Sequence, residues 1–172
     1  MPNFDWDDND TPLAYLITIR TYGTWLHGDE RFSVDRRGQN VFDTPKVKPI
    51  QKLNKIMRRN LRDDPFILEL EQRGHEETAI KEVCRFRGYG LSAVNVRTNH
   101  AHAVVSATNR PERIATEFKS YSTRRLREAG LLGREGRVWS RGESTRYLWK
   151  ERSSEAAIEY VLYGQGDELP KY

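Results

Sequence analysis

The stretch Arg97-Thr98-Asn99-His100-Ala101-His102-Ala103-Val104-Val105 sets two histidines one residue apart in a run of β-branched and small apolar residues. Positions i and i+2 of a strand share a face, whereas on a helix they point about 200° apart. Read as a strand, the run projects His100 and His102 side by side and turns Ala101 and Ala103 to the other face. Two such imidazoles suit one shared metal ion. They equally suit two half-buried rings with ordinary hydrogen-bond partners. Spacing alone leaves both readings open.

The rest of the chain bounds the choice. Its 172 residues make one domain with room for a real core. Apolar residues at 37% and charged residues at 31% describe a polar chain that folds. Cys84 is the only cysteine, so no internal disulfide forms and a reducing, cytoplasmic setting is expected. No run approaches the roughly 18 apolar residues that cross a bilayer, and the acidic start Met1–Asp10 does not read as a signal peptide. The net charge of +4 is modest, but bases outnumber acids from Arg110 to Arg152, and most are arginine. Arginine matches phosphate in a bidentate way, which points to an anionic polymer; a solvated helix face is the bland alternative.

Pro12–Tyr22 is the clearest strand of the first half, with Leu16, Thr18 and Arg20 alternating against Tyr15, Ile17 and Ile19. Residues 29–66 read as a long insertion with one short helix near Ile50–Leu61, and Lys46–Arg62 is strongly basic. Glu69–Phe86 is a predicted helix with an apolar stripe of Ala79, Ile80, Val83 and Cys84. Glu76 and Glu77 favour its amino end, His75 is expected to be exposed, and Gly88 stops it. Tyr89–Arg97 alternates as a strand, with Leu91, Ala93 and Asn95 on one side and Ser92, Val94 and Val96 on the other. A hairpin near Thr98-Asn99 leads to the histidine strand. Asn109-Arg110-Pro111-Glu112 opens a helix that runs to about Ala129. Ser144–Trp149 is the last strand, and Ser153/Ser154 are expected to cap a last helix over Glu155–Tyr163.

The order β–α–β–β–α–β–α predicts an α+β fold: a ferredoxin-like four-stranded antiparallel sheet with helices, plus a C-terminal helix. The whole chain, 1–172, is one domain with its core at 12–165. In this topology the histidine strand is central, and its histidines face away from the core helices. Stepping about 100° per residue along the last helix, Ala157, Ile158, Val161 and Leu162 form the inward stripe. Tyr160 lies on its flank and Tyr163 opposite. Gln165 points inward if the helix reaches it.

Asn99-His100-Ala101-His102, followed by apolar residues, resembles the HUH motif (histidine, hydrophobic residue, histidine) of the single-tyrosine transposases of insertion sequences, including REP-associated tyrosine transposases. The likeness runs from Pro12 to Gln165 and takes in Val138-Trp139-Ser140-Arg141-Gly142 and Tyr160-Val161-Leu162. It implies a metal-dependent DNA endonuclease and transposase that cleaves and rejoins single-stranded or hairpin DNA. Tyr160 would attack the phosphorus, leaving a 5′-phosphotyrosine and a free 3′-OH. His100, His102 and a polar ligand from the tyrosine helix would hold a divalent Mg²⁺ or Mn²⁺. The family's third ligand usually follows the tyrosine by four residues. Here that position is Gly164, and Gln165, five residues on, takes the role. Members act as monomers or as homodimers that exchange the tyrosine helix.

Lys119, Arg124, Arg125, Arg141 and Arg146 are the candidates for contact with the DNA backbone. Trp139, Tyr147 and Trp149 suit either base stacking or the core. Tyr121, between Lys119 and Arg124, is a rival nucleophile, followed by Tyr163. The second functional reading is a ferredoxin-like domain that binds nucleic acid without cutting it. A metal enzyme with no nucleic-acid role fits the arginine-rich half poorly.

Overall fold

The histidine run does form a strand, and the strand lies inside a sheet. A computed structural model describes residues 11–26, 33–34, 46–47 and 50–166. In chain order its elements are β1 (Ala14–Arg20), the short strands β2 (Ser33–Val34) and β3 (Lys46–Val47), α1 (Gln51–Arg59), α2 (Leu70–Arg87), β4 (Gly90–Val96), β5 (His100–Ser106), α3 (Pro111–Glu128), β6 (Ser144–Leu148) and α4 (Glu151–Tyr163). β4, β5, β1 and β6 neighbour one another in that order, all antiparallel. This is the expected ferredoxin-like sheet, with β5 and β1 at its centre. β2, β3 and α1 belong to the 29–66 insertion; β2 and β3 pair with each other. The acidic leader and most of the insertion's first half lie outside the described residues.

Alternation along β1 and β5 divides the structure into two layers. Tyr15, Ile17, Ile19, Ala101, Ala103 and Val105 pack against Ile80 and Val83 of α2 and Ile114, Phe118 and Leu126 of α3. Ala14, Val104 and Leu148 face the other way and meet Ala157 and Val161 of α4. Ile17, Ile19, Phe118 and Leu126 are fully buried, and each such side chain contributes about 1.5–3 kcal/mol. His100 and His102 therefore share the α4 side of the sheet, as the alternation of β5 requires.

Four sequence expectations change. In β4 the pairing register shifts between Leu91 and Ala93. A bulge at Ser92 turns Leu91 to the α2/α3 layer with Val94 and Val96, while Ala93 packs under α4. Simple alternation had grouped Leu91 with Ala93. α4 begins at Glu151, so Ser153 and Ser154 sit inside its first turn and Lys150 holds the cap position, where its side chain makes no capping hydrogen bond. Within α2, the capping box joins Glu69 and Gln72, and Gly88 closes the helix at φ 71°. Glu76, expected at the solvated amino end, is buried instead. His75 is half-buried, and its Nδ1 is enclosed without a hydrogen bond. Helical spacing explains the burial: Glu76 precedes Ala79, Ile80 and Val83 by three, four and seven residues, on the face that meets α3.

The Glu76 carboxyl is fully buried, with the Ser122 hydroxyl beside it. Burial raises the Glu76 carboxyl from its ordinary 4.5 to about 8, against a small opposing pull from Ser122. The folded protein thus keeps a proton that the unfolded chain releases above pH 4.5. Stability is fullest below that value and falls as pH rises to about 8, by on the order of 4–5 kcal/mol over the window. Urea unfolding at pH 5 and pH 8.5 should show this fall in the wild type and lose most of it in Glu76→Gln.

Candidate active site

The hairpin between β4 and β5 fixes where the histidines begin. The Arg97 N–H donates to the His100 carbonyl at 2.8 Å, and the Leu68 N–H donates to the Thr98 carbonyl at 2.7 Å. The Asn99 carbonyl accepts from the Thr21 N–H at 2.9 Å and from the Thr21 hydroxyl at 3.1 Å. The turn is thereby tied to the end of β1 and to the segment before α2. Register then sets Thr18 opposite His102 and Arg20 opposite His100.

Each imidazole is held through its Nδ1. Thr18 Oγ1 lies 2.7 Å from Nδ1 of His102, and Asn99 Oδ1 lies 2.7 Å from Nδ1 of His100. Asn99 Oδ1 only accepts, so Nδ1 of His100 donates and that ring keeps its lone pair on Nε2; the Thr18 hydroxyl can donate to or accept from Nδ1 of His102. The ring centroids stand 4.5 Å apart. His102 is buried, and burial, followed by the neighbouring His100 and Arg20, lowers its pKa to about 3. Its imidazole is neutral at neutral pH, the form that ligates a metal.

α4 brings the remaining groups. Asn95 Nδ2 donates to the Val161 carbonyl at 2.8 Å, and the Arg97 guanidinium donates to the Gly166 carbonyl at 3.0 Å. Both bonds satisfy carbonyls at the end of the helix. Tyr160 is 46% exposed, with its ring centroid 5.5 Å from that of His102 in the same chain. Tyr163, 81% exposed, points to solvent, as the helical wheel predicted. Gln165 Nε2 donates to the Tyr160 carbonyl at 3.0 Å, which turns Oε1 toward His100 Nε2 at 3.2 Å. In the tautomer held by Asn99, two lone pairs face each other across that gap. A cation between them turns both into ligands.

The donor set fits a divalent ion. Two imidazole rings and one carboxamide oxygen lie close together, and each imidazole is oriented by an outer oxygen, as metal-bound histidines usually are. Among the described residues no group of three or more His, Cys, Asp or Glu side chains is placed to hold a metal. The amide oxygen of Gln165 is the polar atom placed beside His100 Nε2.

The basic and aromatic candidates are dispersed. Lys119 donates to the Ser140 and Gly142 carbonyls and pairs with Glu143, tying α3 to the loop before β6. Arg125 pairs with Glu82 across α2 and α3 at 2.8 Å. Arg124 stacks over Tyr121, 4.5 Å from its ring centroid. All four residues belong to α3, on the far side of the sheet from the histidines. Tyr121, the rival nucleophile, packs against that layer's core. Arg146 is exposed on β6 opposite Leu16, on the histidine face, and Arg141 is exposed in the loop before β6. Trp139 bridges to Thr21 near the histidine end. Tyr147 packs edge-on to Tyr15 and lies near-parallel to Trp149 at 6.3 Å. Six residues of strand, about 20 Å, separate the two places, so the three aromatics form no single platform.

Thr18, Asn95 and Arg97 were not singled out by the sequence. Thr18 alternates with Arg20 on the correct face of β1, but nothing local states which β5 residue it opposes. Asn99 was visible only as part of the histidine stretch.

No curated protein matches this chain. A solved structure of a REP-associated tyrosine transposase bound to a REP hairpin is 12% identical, with a TM-score of 0.48, and the match covers 90% of this chain and 67% of that one. The family model for IS200-like transposases matches residues 51–161. That span is more than half of the sequence and takes in both histidines and Tyr160, and the chain accordingly belongs to the IS200-like transposase family.

Proposed function

We propose that the protein is a metal-dependent, single-tyrosine DNA transposase that cuts and rejoins single-stranded, hairpin-associated DNA. The observation that carries this reading is the Tyr160 ring beside His102, with Gln165 linking the Tyr160 carbonyl to His100. Tyr160 and the proposed ligands lie together within one chain.

His100, His102 and Gln165 would hold the ion. When bound, it supplies positive charge that polarises a phosphodiester and offsets charge on the departing oxygen. The chain's own residues do the rest. Asn99 and Thr18 keep both Nε2 atoms directed at one point. Tyr160 loses its phenolic proton to solvent, which reaches its half-exposed ring, and its oxygen forms a bond to phosphorus. The bond from phosphorus to the 3′ oxygen breaks, and that oxygen takes up a proton. The 5′ side of the DNA stays on the tyrosine. Attack by a 3′-OH on the phosphotyrosine reverses the step and needs no ATP, because the phosphodiester energy is kept in the covalent link.

Arg146 lies on the histidine face and, with the exposed Arg141, suits the backbone of the cleaved strand. The exposed bases Lys52, Lys55, Arg58 and Arg59 of α1 suit a flanking duplex. The Phe66 N–H donates to the Tyr22 carbonyl at 2.9 Å, which ties the segment after α1 to the histidine end of β1. Lys119, Arg124 and Arg125 act from the far layer, as scaffold or as a second contact.

Incubation with single-stranded, hairpin-bearing oligonucleotides and Mn²⁺ should trap a covalent adduct on denaturing gels. Tyr160→Phe should abolish the adduct and leave binding intact; an adduct in that variant would move the nucleophile to Tyr121 or Tyr163. His102→Ala, or chelation of the ion, should cut adduct formation at least about a hundredfold with little loss of DNA affinity. Binding without any adduct, across varied sequences and ions, would assign the chain to the silent nucleic-acid-binding reading. Arg146→Ala should weaken DNA binding evenly across sequences and lower the salt slope by about one.

A further inference from the structure

The turn that ends α4 is tighter than a side chain allows. Gly164 has φ −92° and ψ 9°, a backbone conformation open to any residue, so conformation does not demand glycine there. Space does. A Cβ at 164 would lie 2.9 Å from Cδ2 of Tyr160, 3.0 Å from its Cα and 3.0 Å from its carbonyl oxygen. Two of these three atoms are backbone, so turning the tyrosine ring relieves one contact and the Tyr160 backbone must still give by a few tenths of an ångström.

The crowded carbonyl is the one that organises the site. It accepts the Gly164 N–H at 2.9 Å and Gln165 Nε2 at 3.0 Å. The second bond aims Gln165 Oε1 at His100. Two residues past Gly164, the Gly166 carbonyl is pinned by Arg97. A displacement at 164 thus has little chain in which to dissipate before it reaches Gln165.

We infer that Gly164 is a positioning residue: its missing side chain holds the Tyr160 ring over the histidines and lets Gln165 reach them as the third donor. The inference rests on the proposed function for its chemistry, and its geometry is that of this chain alone. A side chain at 164 moves the Tyr160 carbonyl, releases the Gln165 amide and shifts the ring together with its backbone. One substitution therefore disturbs both nucleophile and ligand, although Gly164 touches neither substrate nor ion.

The test compares the full-length wild type with Gly164→Ala, Gln165→Ala and the double variant. Mn²⁺ affinity is read from the electron paramagnetic resonance of the free ion, beside melting temperature, oligonucleotide affinity and adduct rate. Gly164→Ala should weaken Mn²⁺ binding by about tenfold, as Gln165→Ala does. The double variant should be no weaker than either single one, because both remove the same contact. Adduct rate in Gly164→Ala should fall about a hundredfold, with DNA affinity within about twofold of the wild type. Gly164 is exposed, so the variant should melt close to the wild type; a merely structural role would lower the melting point without the non-additivity. Wild-type Mn²⁺ affinity in Gly164→Ala, or losses that add in full in the double variant, would overturn the inference. If His100→Ala and His102→Ala abolish Mn²⁺ binding while both single variants at 164 and 165 bind normally, this inference fails and the proposed function stands. If the histidine variants bind Mn²⁺ like the wild type, the proposed function itself fails.

Discussion

The register between β1 and β5 is the constraint on which the site depends. Thr18 opposes His102 and Arg20 opposes His100 only because Ile17 and Ile19 pair with Ala103 and Ala101. A slip of β5 by one residue would turn both imidazoles into the α2/α3 core and Ala101 and Ala103 toward α4. Burial of the two isoleucines, Val105 and Phe118 in that layer opposes such a slip. Apolar packing on one face thus fixes the polar geometry on the other. The same register sets Asn95 opposite His102 from β4, so Asn95, His102, Thr18 and Ser144 form one row across four strands. From that row Asn95 anchors the tyrosine helix, and Thr18 orients the histidine.

α4 is held differently from α2 and α3. It buries only Ala157 and Val161 fully, whereas α3 buries six residues. Its carboxyl end is fastened by polar bonds from Asn95, Arg97 and Gln165. Bonds of this kind each contribute about 0.5–1.5 kcal/mol net, and their geometry is specific. A helix held by little apolar area and a few directed bonds is accurately placed yet inexpensive to move. Both properties suit the role proposed for Tyr160.

Elements and faces were legible because they follow from local periodicity. The alternation of β1 and β5 gave the two layers, and the wheel of α4 separated Tyr160 from Tyr163. What stayed hidden depends on contacts between distant segments. The Ser92 bulge is a property of the β4–β5 pair, not of β4 alone. The roles of Thr18 and Asn99 require the hairpin to be tied to Thr21 and Leu68. Glu76 carried the signature of a solvated first turn, and its burial follows from its place on the apolar stripe of α2. Gly164 read as a helix stop, and the close approach of the Tyr160 backbone to it is visible only in three dimensions.

The arginine-rich half shows why a charge cluster in sequence is a poor map of a binding surface. Lys119 spends all three of its donors on Ser140, Gly142 and Glu143, in a setting where its side chain is only 15% exposed. Its charge staples α3 to the loop that starts β6 and so supports the strand beside β1. Arg125 bridges two helices through Glu82, and Arg124 lies flat on Tyr121. Arg146, by contrast, sits on an edge strand, where alternation gives it the same face as the histidines. Its neighbour Tyr147 turns to the other layer to meet Tyr15. One residue along a strand therefore separates a group facing the candidate phosphate path from one built into the opposite wall. The face that a basic side chain occupies follows from strand parity and from the element that carries it. The density of arginine in the sequence contains neither.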